Sequence, residues 1–172
     1  TAWSIVSTPH PSGTSRSLLG VSATSSASGW AVGASTGLPG DGLATDGIAP
    51  LSTMALRWNG HTWSRASTPN AGSESNQLNA VSTVQTGSTW AVGSYANNAA
   101  TSFGLVEHFA GGVWHRVTVP GLGSGTMLDG VSGSAADDVW IVGRTGGFSN
   151  PQALMAHWNG TSWHVYTGPG PA

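Results

Sequence analysis

Acid, base and metal chemistry in this chain must come from few side chains. Seven carboxylates (Asp41, Asp46, Glu74, Glu107, Asp129, Asp137 and Asp138), five arginines (Arg16, Arg57, Arg65, Arg116 and Arg144) and six histidines are spread over 172 residues, and there is no cysteine. The missing thiols exclude disulfides, thiolate zinc sites and cysteine nucleophiles. Glycoside hydrolysis needs two carboxyl groups close together at the ligand. Only Asp129 stands beside a repeated strand where it could reach a central channel, and a symmetric second copy would have to supply the other. Serine–histidine–aspartate chemistry is compositionally available, but no Gly-x-Ser-x-Gly elbow is written between a strand and a helix. An enzyme is therefore the least supported class, and the chain reads as non-catalytic.

Other constellations point to structure as readily as to chemistry. His108 faces His115, and His157 faces His164, if the aromatic pairs flanking them lie opposite across a hairpin. Facing imidazoles can hold zinc or copper, but the first repeat has Arg57 and Ser64 in their place and no third ligand is evident, which favours surface pairing. Glu107 opposite Arg116 reads as a cross-strand ion pair of small energetic weight. Asn159-Gly-Thr161 matches a glycosylation sequon, yet the Asn-Gly at 59–60 shows that turn geometry alone accounts for it.

Composition narrows the class of partner. Only 7% of residues are charged, the net charge is −2, and no polybasic run occurs. Nucleic acid and anionic membrane surfaces both need clustered positive charge, so neither is an expected partner. No apolar run approaches the roughly 20 residues that cross a bilayer, and no signal-peptide pattern opens the sequence. The expectation is a soluble, extracellular chain with any secretion signal removed before Thr1. Nine tryptophans and an ordinary aliphatic content argue for a packed core.

Internal repeats explain where those residues sit. The tetrapeptide WAVG stands at 30–33 and 90–93, and WIVG at 140–143. Each is preceded by Leu-x-x-Val-Ser (18–22, 78–82, 128–132), with nine positions from that Val to the Trp. Each is followed by a pair of aromatics five apart: Trp58/Trp63, Phe109/Trp114 and Trp158/Trp163. A proline closes each unit at 69, 120 and 169, and Trp3 with Pro9 repeats the closing offset at the start of the chain. Four short apolar runs per unit, separated by Gly, Ser, Asn and Pro, are strand-and-turn punctuation without a helical period.

The predicted fold is all-β: three β-propeller blades of four antiparallel strands, at 18–69, 78–120 and 128–169 in one domain spanning 1–172, plus an extra N-terminal outer strand at 1–9. The glycine after each second strand (Gly33, Gly93, Gly143) marks a close packing point or bend. On these motifs, Val-Ser…WAVG…HWNGTSW, the chain resembles the repeats of secreted bacterial β-propeller proteins, and more distantly kelch and Asp-box propellers. The resemblance implies an extracellular propeller and little about activity. The double glycine of kelch is absent, and Trp58 and Trp158 stand where an Asp-box has its aspartate, so sialidase activity does not carry over.

Propellers typically have about four to eight blades. Three leave apolar faces uncovered, so a homo-oligomer is expected, a dimer of six blades being the simplest closure. This is similar to small propeller lectins assembled from short repeated chains. The surplus strand at 1–9 leaves displacement, exchange between subunits, or membership of a longer array open.

Ligand contacts are sought on the face where the connection between second and third strands varies in length. Residues 37–50 form its longest version, and Asp41 and Asp46 there could offer oxygen ligands to calcium, the one cofactor indicated. The recurring tryptophans are assigned to packing between blades. Off-repeat residues are the better candidates: Tyr95, Asn97 and Asn98 after the second WAVG, and Arg144, Phe148 and Asn150 after WIVG. Amides, an aromatic and a planar guanidinium suit sugar hydroxyls or a carboxylate. Two functions follow as expectations: a carbohydrate-binding, lectin-like module, or a self-assembling extracellular scaffold built by strand exchange.

Overall fold

The computed structural model describes residues 4–9, 15–36, 50–147 and 149–168. Twelve strands form three four-stranded antiparallel sheets, each in chain order. Sheet 1 holds β1 (Arg16–Ser25), β2 (Ser28–Ser35), β3 (Ser52–Trp58) and β4 (Trp63–Ala66). Sheet 2 holds β5 (Ser75–Gln85), β6 (Ser88–Asn98), β7 (Thr101–Ala110) and β8 (Val113–Arg116). Sheet 3 holds β9 (Met127–Ala135), β10 (Asp138–Thr145), β11 (Gln152–Trp158) and β12 (Trp163–Thr167). The four runs of every repeat thus become four strands, and no helix long and apolar enough to cross a membrane occurs among the described residues.

The repeated tetrapeptide has a backbone reason. Leu18, Leu78 and Leu128 stand opposite Gly33, Gly93 and Gly143, and the next residue of each first strand bulges out of register. A Cβ on any of these three glycines would overlap the carbonyl oxygen of Ser17, Gln77 or Met127. The bulge therefore fixes glycine at the end of WAVG.

Strand alternation gives every sheet two apolar faces. From sheet 1, Trp30, Val32 and Ala55 pack against Leu78, Val81, Ala91, Leu105, Phe109 and Trp114 of sheet 2. One repeat later, Trp90, Val92 and Val106 pack against Leu128, Val139, Ile141, Leu154 and Ala156 of sheet 3, with Trp158 and Trp163 at the margin. The Val-Ser serine pins each junction: Ser22 Oγ accepts the Thr83 N–H at 3.0 Å, and Ser82 Oγ accepts the Gly133 N–H at 3.1 Å.

The single chain differs from three expectations. Residues 4–9, within the expected outer strand, lie outside any strand and Ile5 is fully exposed; Trp3 lies outside the described residues. Trp140, assigned to packing like Trp30 and Trp90, is partly exposed in the single chain, where no sheet among the described residues follows sheet 3. Glu107 and Arg116 are opposite in register but make no ion pair. Arg116 instead lies 4.7 Å from the Tyr95 ring centre and donates to its hydroxyl at 2.8 Å.

Candidate functional site

The loop ends of sheets 2 and 3 enclose a half-open cleft of about 750 Å³. Its walls are the β6–β7 turn (98–101), the segment before β5 that carries Glu74, the loop around 124–127, and Gly146, Gly147 and Ser149. Backbone bonds stitch these loops together: Gly125 N–H to the Ser102 carbonyl at 2.8 Å, and Gly147 N–H to the Gly125 carbonyl at 3.2 Å. Gly125 (φ 75°) and Gly147 (φ 69°) adopt the left-handed backbone that a side chain would strain. Glu74 is held by its backbone, its N–H donating to the Ala96 carbonyl at 3.1 Å and its carbonyl accepting from Leu51 N–H at 3.2 Å, next to Asn76, whose buried amide accepts from Ala71 and Gly72 and donates to the carbonyls of Leu51 and Gly72. Asn76 is a structural group with its hydrogen-bonding capacity used.

The lining is rich in hydroxyls: Ser75, Ser94, Thr101, Ser102, Ser124 and Ser149, with Glu74 as its carboxylate. That surface can donate and accept neutral hydrogen bonds but does not place two carboxyl groups together among the described residues. Neither acid–base pairing nor a metal cluster is formed there; no three His, Asp or Glu side chains gather among the described residues.

The sequence candidates divide. Tyr95 and Asn98 line the cleft. The Tyr95 ring is stacked on Phe103 at 5.2 Å and carries Arg116, so its faces are occupied by the protein. Asn98 Oδ1 accepts from Ala100 and Thr101 N–H at 3.0 Å, shaping the turn. Asn97 lies beside the cleft, its side-chain oxygen accepting the Ser73 N–H at 3.2 Å. Arg144 donates to Met127 Sδ at 3.1 Å, and Met127 is part of the wall. Asn150 is exposed outside it, its carbonyl folded against Gly146. Phe148, Asp41 and Asp46, and with them the calcium expectation, lie outside the described residues. Sequence reading missed Glu74 and the serines. Their signal was available, because the connection into the first strand of a unit emerges on the same face as the variable loop.

Titratable groups elsewhere are tied to packing. Glu107 is fully buried between sheets 1 and 2, both carboxyl oxygens lack a hydrogen-bond partner, and burial pushes its pKa up to about 8. His108 faces His115 as the hairpin register requires, but it stacks on Trp90 at 4.0 Å and bonds Ser88 Oγ at 2.8 Å. Burial, then the nearby His115, lowers its pKa. Asp138 accepts from Ser134, from His157 at 2.9 Å and from Trp140 at 3.1 Å, bonds that hold its carboxyl below the usual range, Ser134 contributing most. Here the carboxylate lies between serine and histidine, so the imidazole is not placed to take the serine proton as a hydrolase triad requires. Asp129 is the exposed bulge residue of β9. Asn159 Oδ1 is turned into its own hairpin, accepting from Thr161 and Ser162.

No protein-family model matches the chain, and no curated protein matches it.

Proposed function

We propose that this chain is an extracellular, non-catalytic binding module of the β-propeller type, and that the cleft between sheets 2 and 3 takes a neutral carbohydrate. The observation that carries the reading is the lining of that cleft: six hydroxyls and one carboxylate around a volume suited to one or two sugar rings. The low charge of the whole chain suits an uncharged, polyhydroxylated ligand better than an ionic one. Because the Tyr95 ring is already covered, recognition here works through hydrogen bonds rather than ring stacking. The secreted-propeller resemblance carried by the WAVG repeats supports both the architecture and the location.

The test is a titration against neutral oligosaccharides followed by backbone-amide NMR. Binding should shift resonances of residues 94–102 and 124–127, and Ala99→Trp, an exposed wall position, should weaken affinity at least tenfold. Absence of binding across the set, or binding untouched by Ala99→Trp and Ser149→Trp, would sink the assignment.

A further inference from the structure

The three repeats allow each face of each sheet to be compared with its equivalents. Trp30 and Trp90, each only 4% exposed, are covered by the following sheet, whereas Trp140 is 38% exposed, with Val142, Met155 and Tyr166 around it at 47%, 42% and 51%. This exposed face is already shaped like a covered one. His157 stacks on Trp140 at 4.1 Å and 15°, matching His108 on Trp90 at 4.0 Å and 11°. Ser22 and Ser82 each accept a backbone N–H from the next sheet, while the hydroxyl of Ser132, their equivalent, accepts no such bond among the described residues.

At the other end of the chain the first strand of the complementary face is open. Leu78 and Leu128 are completely buried by the preceding sheet, but Leu18 is 45% exposed; Val81 is 8% exposed, but Val21 is 71% exposed. Trp58 and Trp63 are half-buried, with rings 5.4 Å apart at 44°. The pair Trp158 and Trp163, at 5.7 Å and 42°, receives Trp90. Further out on this face Ala31, Met54 and Leu56 are already buried within the single chain, so β1 and the Trp58/Trp63 rim are what it offers.

We infer that the exposed face of sheet 3, formed by Trp140, Val142, Met155 and Tyr166, is a docking surface for β1 of a second copy of this chain. In that position Leu18 and Val21 of the second copy sit as Leu78 and Val81 sit on sheet 1, and as Leu128 and Val131 sit on sheet 2. Ser132 then accepts the backbone N–H of Ala23 in the second copy, the residue equivalent to Thr83 and Gly133. The occupant is identified by the chain's own two covered junctions, which present this face only to a sheet of the same repeat, and sheet 1 carries the sheet face that no other sheet of the chain covers. Reciprocal docking of two copies gives a ring of six sheets, inside the usual propeller range.

Sedimentation velocity on the full chain tests this. Wild type should reach twice the mass of one chain, while Trp140→Glu with Val142→Glu, and separately Leu18→Glu with Val21→Glu, should each remain monomeric. All four side chains are exposed in the single chain, and unchanged circular dichroism and thermal midpoint check that the variants fold. Mixing the two variants leaves one intact junction and should restore a one-to-one pair. A monomeric wild type at high concentration, an open ladder of larger species, or association lost only in the Trp140 variant would overturn the inference. Oligosaccharide binding is followed on the same samples, so failure to associate and failure to bind sugar are read separately.

Discussion

The junction between sheets 1 and 2 and the junction between sheets 2 and 3 use the same repeat positions with different chemistry. In the second, Ala156 pairs with Ile141 on an apolar surface of aliphatic side chains and tryptophans. In the first, the equivalent of Ala156 is Glu107, opposite Ala91 and without a hydrogen-bond partner. Arg57, whose place in the second junction is taken by His108, lies 5.8 Å from the Trp30 ring centre and 5.7 Å from that of Phe109 instead of reaching the carboxylate. The comparison teaches that the repeat supplies enough apolar area for a junction to tolerate a buried carboxyl, provided that carboxyl stays protonated.

The largest effects should come from breaking the fully apolar junction between sheets 2 and 3. Ile141→Ala or Trp90→Ala is expected to cost about 3–5 kcal/mol, read from urea unfolding, because each empties a fully packed position. Next comes the junction that buries Glu107, where the sign is reversed. The Glu107 pKa is raised from 4.5 to about 8 in the folded chain, so folding favours the protonated form. Stability from this group is intact below about pH 4.5 and is lost progressively as pH rises through about 8. Glu107→Leu should therefore stabilise by roughly 2–4 kcal/mol at pH 8 and by little at pH 4. A gain equal at both pH values would contradict the protonation account. Ser22→Ala and Ser82→Ala should each cost about 1 kcal/mol, one per junction, by the same unfolding assay. Smallest is Arg116→Ala, about 0.5–1 kcal/mol from its contact with Tyr95; a loss of several kcal/mol would mean that Arg116 pairs with Glu107 after all.

Periodic features were legible because they answer backbone requirements that recur in every unit. Leu-x-x-Val-Ser, WAVG and the aromatic pairs located all twelve strands, and the hairpin register placed His108 opposite His115 as the spacing implied. What the repeat does not repeat was harder to read. Glu107 and Arg116 are neighbours in register, but pairing on a strand says nothing about which side chain the next sheet will cover. Tyr95 breaks the pattern and lines the cleft as a ligand candidate does, but the sequence does not show that its ring is engaged by Phe103 and Arg116. The cleft serines were overlooked because serine is common throughout the chain and only tertiary placement gathers these few.

Two junction faces are covered within the chain, and the third, on sheet 3, is the one proposed to receive a second copy. Cysteine cross-linking tests it most directly, since the chain has no cysteine to interfere. A Ser22→Cys, Thr83→Cys pair should close within one chain, where Ser22 Oγ already meets the Thr83 backbone N–H at 3.0 Å. A Ser132→Cys, Ala23→Cys pair, equivalent in the repeat, should instead yield a covalent dimer on a non-reducing gel. If the first pair closes and the second yields only monomer, sheet 3 does not receive sheet 1 of another copy, and the equivalence stops at the covered faces.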